Sequence, residues 1–307
     1  MQKKFDEALS LCEFMKDMDV SPDETFYNCL LEGCSKNRQI DLAFEVLDKM
    51  GDKKASTVTF NSLIDSCIKE TRYDDAWKLL TIMQEREVVC DSFTYSTLIK
   101  GINHPSKIVY LERAMKLIND LEKSDNFTLD EILFNVLIDS CIRCRKLNLA
   151  LEIFDKMRSP ESSVTPDEVT FNTIIKGCAL NKMLDKAFTI FESMSLCELK
   201  ANDVTYNSII DACVRCGKMD KAWSLFVEMQ DNGITPDNFT FSTLIKGIKR
   251  TGNNPRDRKD LDRAFNLLEQ IKANPEANPD EILYNCLIDA CIRLRDINRA
   301  VAVFNEM

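Results

Sequence analysis

The chain has 307 residues, of which 45% are hydrophobic and 29% are charged, and its formal net charge is −10 at pH 7. It has no run of about eighteen apolar residues, which excludes a membrane-spanning helix. The acidic surplus argues against binding to nucleic acids through overall positive charge, because such proteins usually carry a basic surplus.

The chain is built from tandem repeats. An Ala followed seven residues later by Met, Leu or Ile recurs throughout, opening at Ala8, Ala43, Ala76, Ala114, Ala150, Ala187, Ala222, Ala264 and Ala300. A period of about 30–45 residues indicates a helical solenoid, in which copies of one supersecondary unit stack on each other. After a half repeat at 1–23, repeats 1 to 7 span 24–56, 57–91, 92–130, 131–167, 168–202, 203–237 and 238–280, and a partial repeat 8 spans 281–307.

The whole chain, 1–307, is therefore expected to form a single solenoid domain. Because it begins inside one repeat and stops inside another, we also expect it to be a piece of a longer protein, whose targeting segments are not visible here.

Each repeat is predicted to form a helical hairpin. Apolar residues recur with the spacing of an amphipathic helix in the first half, as in VTYNSIIDACVR (204–215), and in the second half, as in DDAWKLLTIMQE (74–85). Repeats join at Pro-Asp pairs such as Pro166-Asp167 and Pro236-Asp237, where proline stops one helix and aspartate can cap the next. The joins are therefore predicted to be loops.

Repeats 3 and 7 are longer than the others because residues are inserted between their two helices. We expect two loops here, near 105–110 and at 252–259. The second loop would carry Arg256, Arg258 and Lys259 just beyond Lys249 and Arg250, a basic cluster that could contact RNA or an acidic protein partner. The alternative is a neutral insertion, since surface loops tolerate added residues at small cost.

The segment 203–237, DVTYNSIIDACVRCGKMDKAWSLFVEMQDNGITPD, resembles the pentatricopeptide repeat, a 35-residue motif that reads V-T-Y-N-x-L-I-x-x-x-x-K, L-D-x-A-x-x-L-F-x-x-M and G-I-x-P-D. The resemblance covers essentially the whole chain. It implies an all-α, right-handed superhelical solenoid of helix-turn-helix repeats, whose first helices line a concave groove for single-stranded RNA, one base per repeat. The resemblance also implies a location in mitochondria or plastids, and the cytoplasm is the alternative.

In this family the fifth and last residues of a repeat together read one base edge. The fifth residues here are Asn28, Asn61, Ser96, Asn135, Asn172, Asn207, Ser242 and Asn285. The last residues of the complete repeats are Ser56, Asp91, Asp130, Asp167, Asn202, Asp237 and Asp280. Helix capping is an alternative role for the aspartates, but it does not explain Asn and Ser inside a helix, where they are mediocre formers.

The pairing preferences of the family imply a target for these residues. Asn with Ser suggests C, Asn with Asp suggests U, Ser with Asp suggests G, and Asn with Asn suggests C or U. The implied RNA is 5′-CUGU(C/U)UG-3′, and the pairing that starts at Asn285 lacks its second residue. Repeats 3 and 7 share a Phe-Thr-aromatic-Ser-Thr-Leu-Ile-Lys-Gly-Ile phrase, and repeats 4 and 8 both open Glu-Ile-Leu-aromatic-Asn, so the target is nearly periodic.

Two further rows fit an RNA groove. The second residues, which the family wedges between bases, are Thr25 in repeat 1 and then Val58, Phe93, Ile132, Val169, Val204, Phe239 and Ile282, although core packing could explain any one of them. Most thirteenth residues are cationic and are expected to contact phosphates, although a solvated face is the alternative: Lys36, Lys69, Arg143, Arg215, Arg250 and Arg293. Ninth residues alternate in sign, as in Asp65 and Lys100, and could pair between neighbouring repeats.

The cysteines also follow the repeat, because the eleventh residues include Cys34, Cys67, Cys141, Cys178, Cys213 and Cys291. We expect buried thiols in a reducing compartment. The pairs Cys141/Cys144 and Cys213/Cys216 lie two repeats apart, too far to share one zinc ion, so neither metal nor other cofactor is predicted. A single histidine, with no deaminase motif and no room for a second fold, argues against an enzyme.

Acidic residues concentrate at positions of the second helices, which we expect to form the convex face: Asp41, Glu45, Asp74, Glu152, Asp185, Glu192 and Glu228. The favoured function is sequence-specific binding of single-stranded RNA, in its stabilisation, processing or translation. The alternative is a non-catalytic scaffold that holds protein partners, through this convex face or through 252–259.

Overall fold

The computed structural model describes residue 18 and residues 22–51, 55–123, 127–248, 255–273 and 279–307. Within these residues all regular structure is helical, which confirms the predicted all-α class. Two α-helices fall in each repeat. We number them in chain order, so that odd numbers are first helices and even numbers are second helices of a repeat.

The helices have the following bounds: α1 Glu24–Lys36, α2 Ile40–Met50, α3 Thr57–Lys69, α4 Tyr73–Glu85, α5 Ser92–Lys100, α6 Ile108–Glu122, α7 Glu131–Arg143, α8 Leu147–Met157, α9 Glu168–Leu180, α10 Leu184–Ser193, α11 Asp203–Arg215, α12 Met219–Asp231, α13 Asn238–Gly247, α14 Pro255–Ala273, α15 Glu281–Arg293 and α16 Ile297–Glu306. Single 3-10 turns at Pro105–Lys107 and Ser195–Cys197 complete the regular structure that is described.

A polar residue caps the N-terminus of every first helix, as the Pro-Asp pairs predicted. At each start a side-chain oxygen accepts the backbone N–H three residues later, which satisfies one of the donors that a helix leaves free. In α9, for example, the Thr170 N–H lies 2.8 Å from Asp167 Oδ1. The caps are Asp23, Ser56, Asp91, Asp130, Asp167, Asn202, Asp237 and Asp280.

The turn inside the hairpin also repeats. In repeats 1, 2, 4, 5, 6 and 8 the fifteenth residue has a left-handed backbone, with φ of 56° at Lys182 and 69° at Gly217, for example. The next backbone N–H then reaches the carbonyl of the eleventh residue, as from Met183 to Cys178 at 2.9 Å. This bond satisfies a carbonyl that the end of the first helix would otherwise leave free.

The recurrent Ala and Cys positions form the core. Ala187 and Ala222 are fully buried, and so are the eleventh-residue thiols of Cys67, Cys178 and Cys213, as predicted. Between neighbouring repeats an aromatic ring of a second helix packs on one in the following first helix, for example Phe154 on Phe171 with ring centroids 5.0 Å apart. Each repeat therefore completes its core with the next one, as expected of a solenoid.

The loop prediction for repeats 3 and 7 is wrong. Residues 105–107 form a 3-10 turn and 108–110 begin α6, while 255–259 begin α14, which runs to Ala273. In repeat 3 the added helix is held by Tyr110, whose ring packs on Tyr73 of α4 at 5.4 Å. The inserted residues thus lengthen the second helix because its extra turn finds a packing partner. Lys249, Arg250 and 252–254 lie outside the described residues.

The contacts divide the chain into two compact units, Met1–Lys146 and Leu147–Met307. In the first, α1, α3, α5 and α7 pack side by side in chain order; in the second, α9, α11, α13 and α15 do the same. Across the residues that the structure describes, no helix has the length and apolar character needed to cross a membrane.

Candidate nucleic-acid interface

In repeats 1, 2 and 6 the fifth and last residues are in direct contact, although about 30 positions separate them. Asn61 Nδ2 donates to Asp91 Oδ1 at 3.3 Å, and Asn207 Nδ2 donates to Asp237 Oδ1 at 3.4 Å. In repeat 1 the Ser56 backbone N–H donates to Asn28 Oδ1 at 3.1 Å. The contact arises because the last residue caps the following first helix, which packs beside its predecessor.

The remaining fifth residues differ in their surroundings. Ser96 and Ser242 are buried and donate back to the carbonyls of Phe93 and Phe239, each at 3.1 Å. Asn135 and Asn172 are half-buried, while Asn285 is exposed. The remaining last residues lie half-buried at their helix starts: Asp130, Asp167, Asn202 and Asp280.

Helix capping, the alternative role for the last residues, is made by all of them. In Asp91 the cap involves only one of the two carboxylate oxygens. Asp91 receives its hydrogen bonds from Thr94 and Asn61 on Oδ1, within the described residues. Partial burial raises the pKa of Asp91, but these hydrogen bonds outweigh it and leave the pKa below its usual value. An ionised carboxylate is thus anchored by one oxygen at the N-terminus of α5.

The second residues form a row of exposed apolar side chains. Their relative exposures range from 50% at Val204 to 69% at Val58. The others are Phe93, Ile132, Val169, Phe239 and Ile282, while Thr25 is an exposed polar member. Core packing, the alternative for this row, is therefore wrong, because these side chains point out of the core. Apolar side chains that recur in water at the same place in successive repeats are open to a ligand, whereas those of the core are not.

Each thirteenth cation that the structure describes pairs with an acid one turn earlier in its own helix. Lys69 Nζ lies 2.5 Å from Asp65, and Arg143 and Arg215 each lie 2.5 Å from Asp139 and Asp211. Lys36 pairs with Glu32 at 3.6 Å, and Arg293 with Asp289 at 3.0 Å. The prediction that the ninth residues pair between repeats is therefore wrong for Asp65. Asp65 pairs with Lys69 of its own helix, because a helix places residues four apart side by side.

The acidic residues of the second helices are exposed as expected, and two of them pair with the following repeat. Asp41 lies 2.6 Å from Arg72, and Asp74 lies 3.4 Å from Arg113. The hydrogen bond from Arg72 lowers the pKa of Asp41. Part of the acidic face is thus neutralised by neighbouring repeats, although pairs this exposed stabilise the fold little.

The thiols have no catalytic or metal-binding arrangement in the described residues. No group of three or more His, Cys, Asp or Glu there could hold a metal ion. Burial raises the pKa of Cys34 to about 11 and that of Cys141 to about 12, so both stay protonated. A protonated, buried thiol is neither a ready nucleophile nor a ready ligand.

One group near the interface escaped the sequence interpretation. The third residue of most repeats is a buried Thr, and the hydroxyl of Thr240 lies 2.6 Å from Asn207 Oδ1 of the preceding repeat. The available signal was a polar residue at a position that otherwise follows core periodicity, as in the VTF and VTY phrases.

Comparison with solved structures finds the same fold in pentatricopeptide repeat proteins. A variant of PPR10 in complex with an 18-nucleotide psaJ RNA element matches 99% of this chain with a TM-score of 0.67 and 20% identity. A second structure, of PPR10 from maize, matches 98% of this chain with a TM-score of 0.52 and 20% identity. The chain spans 43% and 51% of these two structures, respectively. No curated protein matches its sequence.

Sequence models of the repeat family agree with this fold. The PPR repeat family matches residues 55–104, 129–180, 166–215 and 201–250. The pentatricopeptide repeat domain matches 10–70, and a PPR repeat matches 282–307. The matched segments cover more than half of the chain and coincide with helical hairpins of the structure. The chain therefore belongs to the pentatricopeptide repeat family.

Proposed function

We propose that the chain binds single-stranded RNA in a sequence-specific way, with one base read per repeat. The observation that carries the proposal is the row of exposed apolar second residues next to polar fifth and last residues. Val58 and Phe93, for example, each stand three residues before Asn61 and Ser96. Apolar and aromatic side chains stack with bases, while amides and carboxylates read base edges, so the two rows supply complementary halves of a base site.

The amide and carboxylate in contact suit a pyrimidine. In repeats 2 and 6 the Asn amide offers N–H donors and the Asp carboxylate offers acceptors within one small cluster. Uracil carries carbonyl acceptors beside an N–H donor, so its edge can bond to both groups. With the family preferences at the other repeats, the proposed target is 5′-CUGU(C/U)UG-3′. PPR10, which has the same fold, was solved with an RNA element, and this likeness supports a nucleic-acid ligand here as well.

The proposed role is non-catalytic: the bound chain stabilises a transcript or presents it for processing or translation. Phosphates would meet the cations at the thirteenth residues. Because Lys69, Arg143 and Arg215 already pair with aspartates, the RNA backbone must compete for them. Base stacking and base reading should therefore supply much of the affinity, and the overall negative charge of the chain should limit non-specific binding.

A competition gel shift tests the proposal. CUGUCUG should displace a labelled copy of itself at lower concentration than an A-rich RNA of equal length, because each mismatched base costs about 1 kcal/mol or more. Equal competition by both RNAs would contradict sequence-specific reading. Absence of RNA binding even at low salt would instead favour the protein scaffold, for which the exposed acids on the second helices are the supporting observation.

A further inference from the structure

A buried Thr hydroxyl touches the fifth-residue amide of the preceding repeat. Thr59 Oγ1 lies 3.1 Å from Asn28 Oδ1, and Thr240 Oγ1 lies 2.6 Å from Asn207 Oδ1. Both Thr side chains are at most 1% exposed. Each occupies the third position of its repeat, so the group beside a base-reading amide comes from the next repeat along the chain.

The residue at this third position changes with the fifth residue of the preceding repeat. Where the fifth residue is Asn and another repeat follows, the third residue of that repeat is Thr: Thr59, Thr94, Thr170, Thr205 and Thr240. Where the fifth residue is Ser96 or Ser242, it is Leu133 or Leu283. Repeats 3–4 and 7–8 share their sequence phrases, so the two Leu cases amount to one independent occurrence.

Helix capping accounts for only part of this exchange. Asp130 and Asp280 cap α7 and α15 with bonds of 2.8 Å to the backbone N–H groups of Leu133 and Leu283. Asp237 caps α13 with the same 2.8 Å bond to Thr240. The aspartate cap is therefore made with or without a hydroxyl at the third position. Where Thr is present, its hydroxyl can also accept the backbone N–H of the N-cap residue, as in α5, α9, α11 and α13. In α13 the hydroxyl reaches the amide of Asn207 as well, a contact that the reciprocal cap does not require.

The hydrogen bonds in repeats 1 and 6 show what Thr can offer to Asn and why Ser has no use for it. Ser96 and Ser242 donate to carbonyls of their own helices, so they need no donor from the following repeat. The Asn207 amide has a buried acceptor, Oδ1, and burying an acceptor without a donor is costly. Thr240 accepts the backbone N–H of Asp237 at 3.2 Å, which leaves its own hydrogen to donate.

That single hydrogen has two acceptors. Thr240 lies 2.6 Å from Asn207 Oδ1 and 2.8 Å from Asp237 Oδ1. Beside Asn61 and Asn172 the hydroxyl of the following repeat bonds to the capping residue instead: Thr94 Oγ1 lies 2.7 Å from Asp91 Oδ1, and Thr205 Oγ1 lies 2.9 Å from Asn202 Oδ1. The buried Oδ1 atoms of Asn61 and Asn172 have no bond among the described residues. A base that donates to the aspartate would release the hydroxyl hydrogen to the amide oxygen.

We propose that Thr at the third position is a positioning residue for base reading by the preceding repeat, an inference that rests on the proposed function. Its hydroxyl holds the Asn carboxamide with Oδ1 inward and Nδ2 toward the Asp and the base. A turned carboxamide would direct Oδ1 at the carboxylate of Asp237 and lose the hydroxyl bond. The base then meets an N–H donor, which selects a carbonyl oxygen on its edge.

Thr240→Val tests the role of the hydroxyl, because valine keeps the shape and removes the donor. Binding is measured to four RNAs that differ only at base 6 of the target, which Asn207 and Asp237 read. The preference for U should fall about fivefold or more, the low end for one base contact, while preferences at base 2, read by Asn61 and Asp91, stay unchanged. Thr240→Ser retains the hydroxyl and should restore the preference for U.

Exchange in the opposite direction provides a second, independent test in repeat 7. Ser242→Asn alone leaves the new amide beside Leu283 without a donor, so it should discriminate poorly at base 7. Ser242→Asn with Leu283→Thr should shift base 7 from G to U. Equal preferences for the single and double variants would overturn the inference, and this test does not depend on how well Thr240→Val folds.

The outcomes separate this inference from the proposed function. A wild-type chain that binds the four base-6 RNAs equally contradicts the proposed function and the inference with it. A wild-type preference for U that Thr240→Val keeps overturns the inference alone. Equal weakening of all four RNAs by Thr240→Val, with the U preference intact, also overturns it, because it would show a structural role only.

Discussion

At the scale of single residues, exposure separates the apolar side chains that hold the fold from those that can face a ligand. Two phenylalanines of α13 illustrate this, because Phe239 is 57% exposed and Phe241 is 8% exposed. They stand two positions apart in one helix, so they point in different directions, Phe241 toward α12 and Phe239 away from the core. The hydrophobic character of the two side chains alone would assign both of them to the core.

Replacement of Phe93 by alanine should therefore weaken RNA binding without unfolding the protein. Loss of one stacking side chain costs about 1–3 kcal/mol of binding free energy. The free energy of unfolding should change by only about 0.5 kcal/mol, because Phe93 is largely in water. Titration of CUGUCUG RNA and urea unfolding measure the two quantities.

Val227→Ala is the matched control for this change. Val227 is also an exposed apolar residue, at 52%, but it lies on the second helix α12. The Val227→Ala substitution should leave RNA affinity unchanged. A loss of affinity as large as that of Phe93→Ala would show that the exposed second residues have no special part in binding.

At the scale of the helical element, the turn between the two helices of a repeat has one strained position. Among the described residues, the fifteenth residue adopts a left-handed backbone at Arg38, Thr71, Arg145, Lys182 and Arg295, and at Gly217 in repeat 6. Side chains with a Cβ are disfavoured in this region. In these repeats the turn between the two helices therefore includes a residue whose backbone conformation is unfavourable in free energy.

Lys182→Gly should stabilise the protein by about 1 kcal/mol, the typical relief from a left-handed backbone. Gly217→Ala should destabilise it by a similar amount, since a Cβ at Gly217 meets no atom within 4 Å and only the backbone strain counts. Urea unfolding of both variants measures the change. Stabilities that both fall, or that both stay equal to wild type, would show that the turn is not strained as its φ values indicate.

At the scale of the whole molecule, charge is distributed unevenly between first and second helices. The chain carries 50 acidic and 40 basic residues. Cations recur at the thirteenth residue of first helices, whereas exposed acids such as Asp185 and Glu192 lie on second helices. Net charge is therefore an incomplete guide to the ligand, because a phosphate backbone could compete with Asp65 and Asp139 for the cations that end the first helices.

RNA affinity should fall with salt at a log-log slope of about −4 if six thirteenth-residue cations contact phosphates, at about 0.7 per contact. Replacing Lys69 and Arg143 by glutamine should flatten the slope by about 1.4 and weaken binding to all sequences alike. The control replaces Lys116 and Lys186, exposed on second helices. A slope changed equally by both pairs would show that the first-helix cations have no special role.

The sequence by itself determined the repeats, their helical hairpins, the capping residues and the buried alanines and thiols. These features depend on local chemistry: the apolar period of a helix, a proline that stops it and an aspartate that caps the next. The same holds for the positions of the fifth and last residues, because a fixed repeat length places equivalent residues at equivalent points of successive hairpins.

Only the tertiary structure decided how neighbouring repeats use those residues. It showed that the inserted residues of repeat 3 lengthen α6, since Tyr110 packs on Tyr73 of the preceding repeat. It paired Asp65 with Lys69 of its own helix. It also placed Thr240 against Asn207, a contact across 33 positions of the chain. These outcomes depend on which side chains meet when one hairpin stacks on the next, and periodicity alone does not specify them.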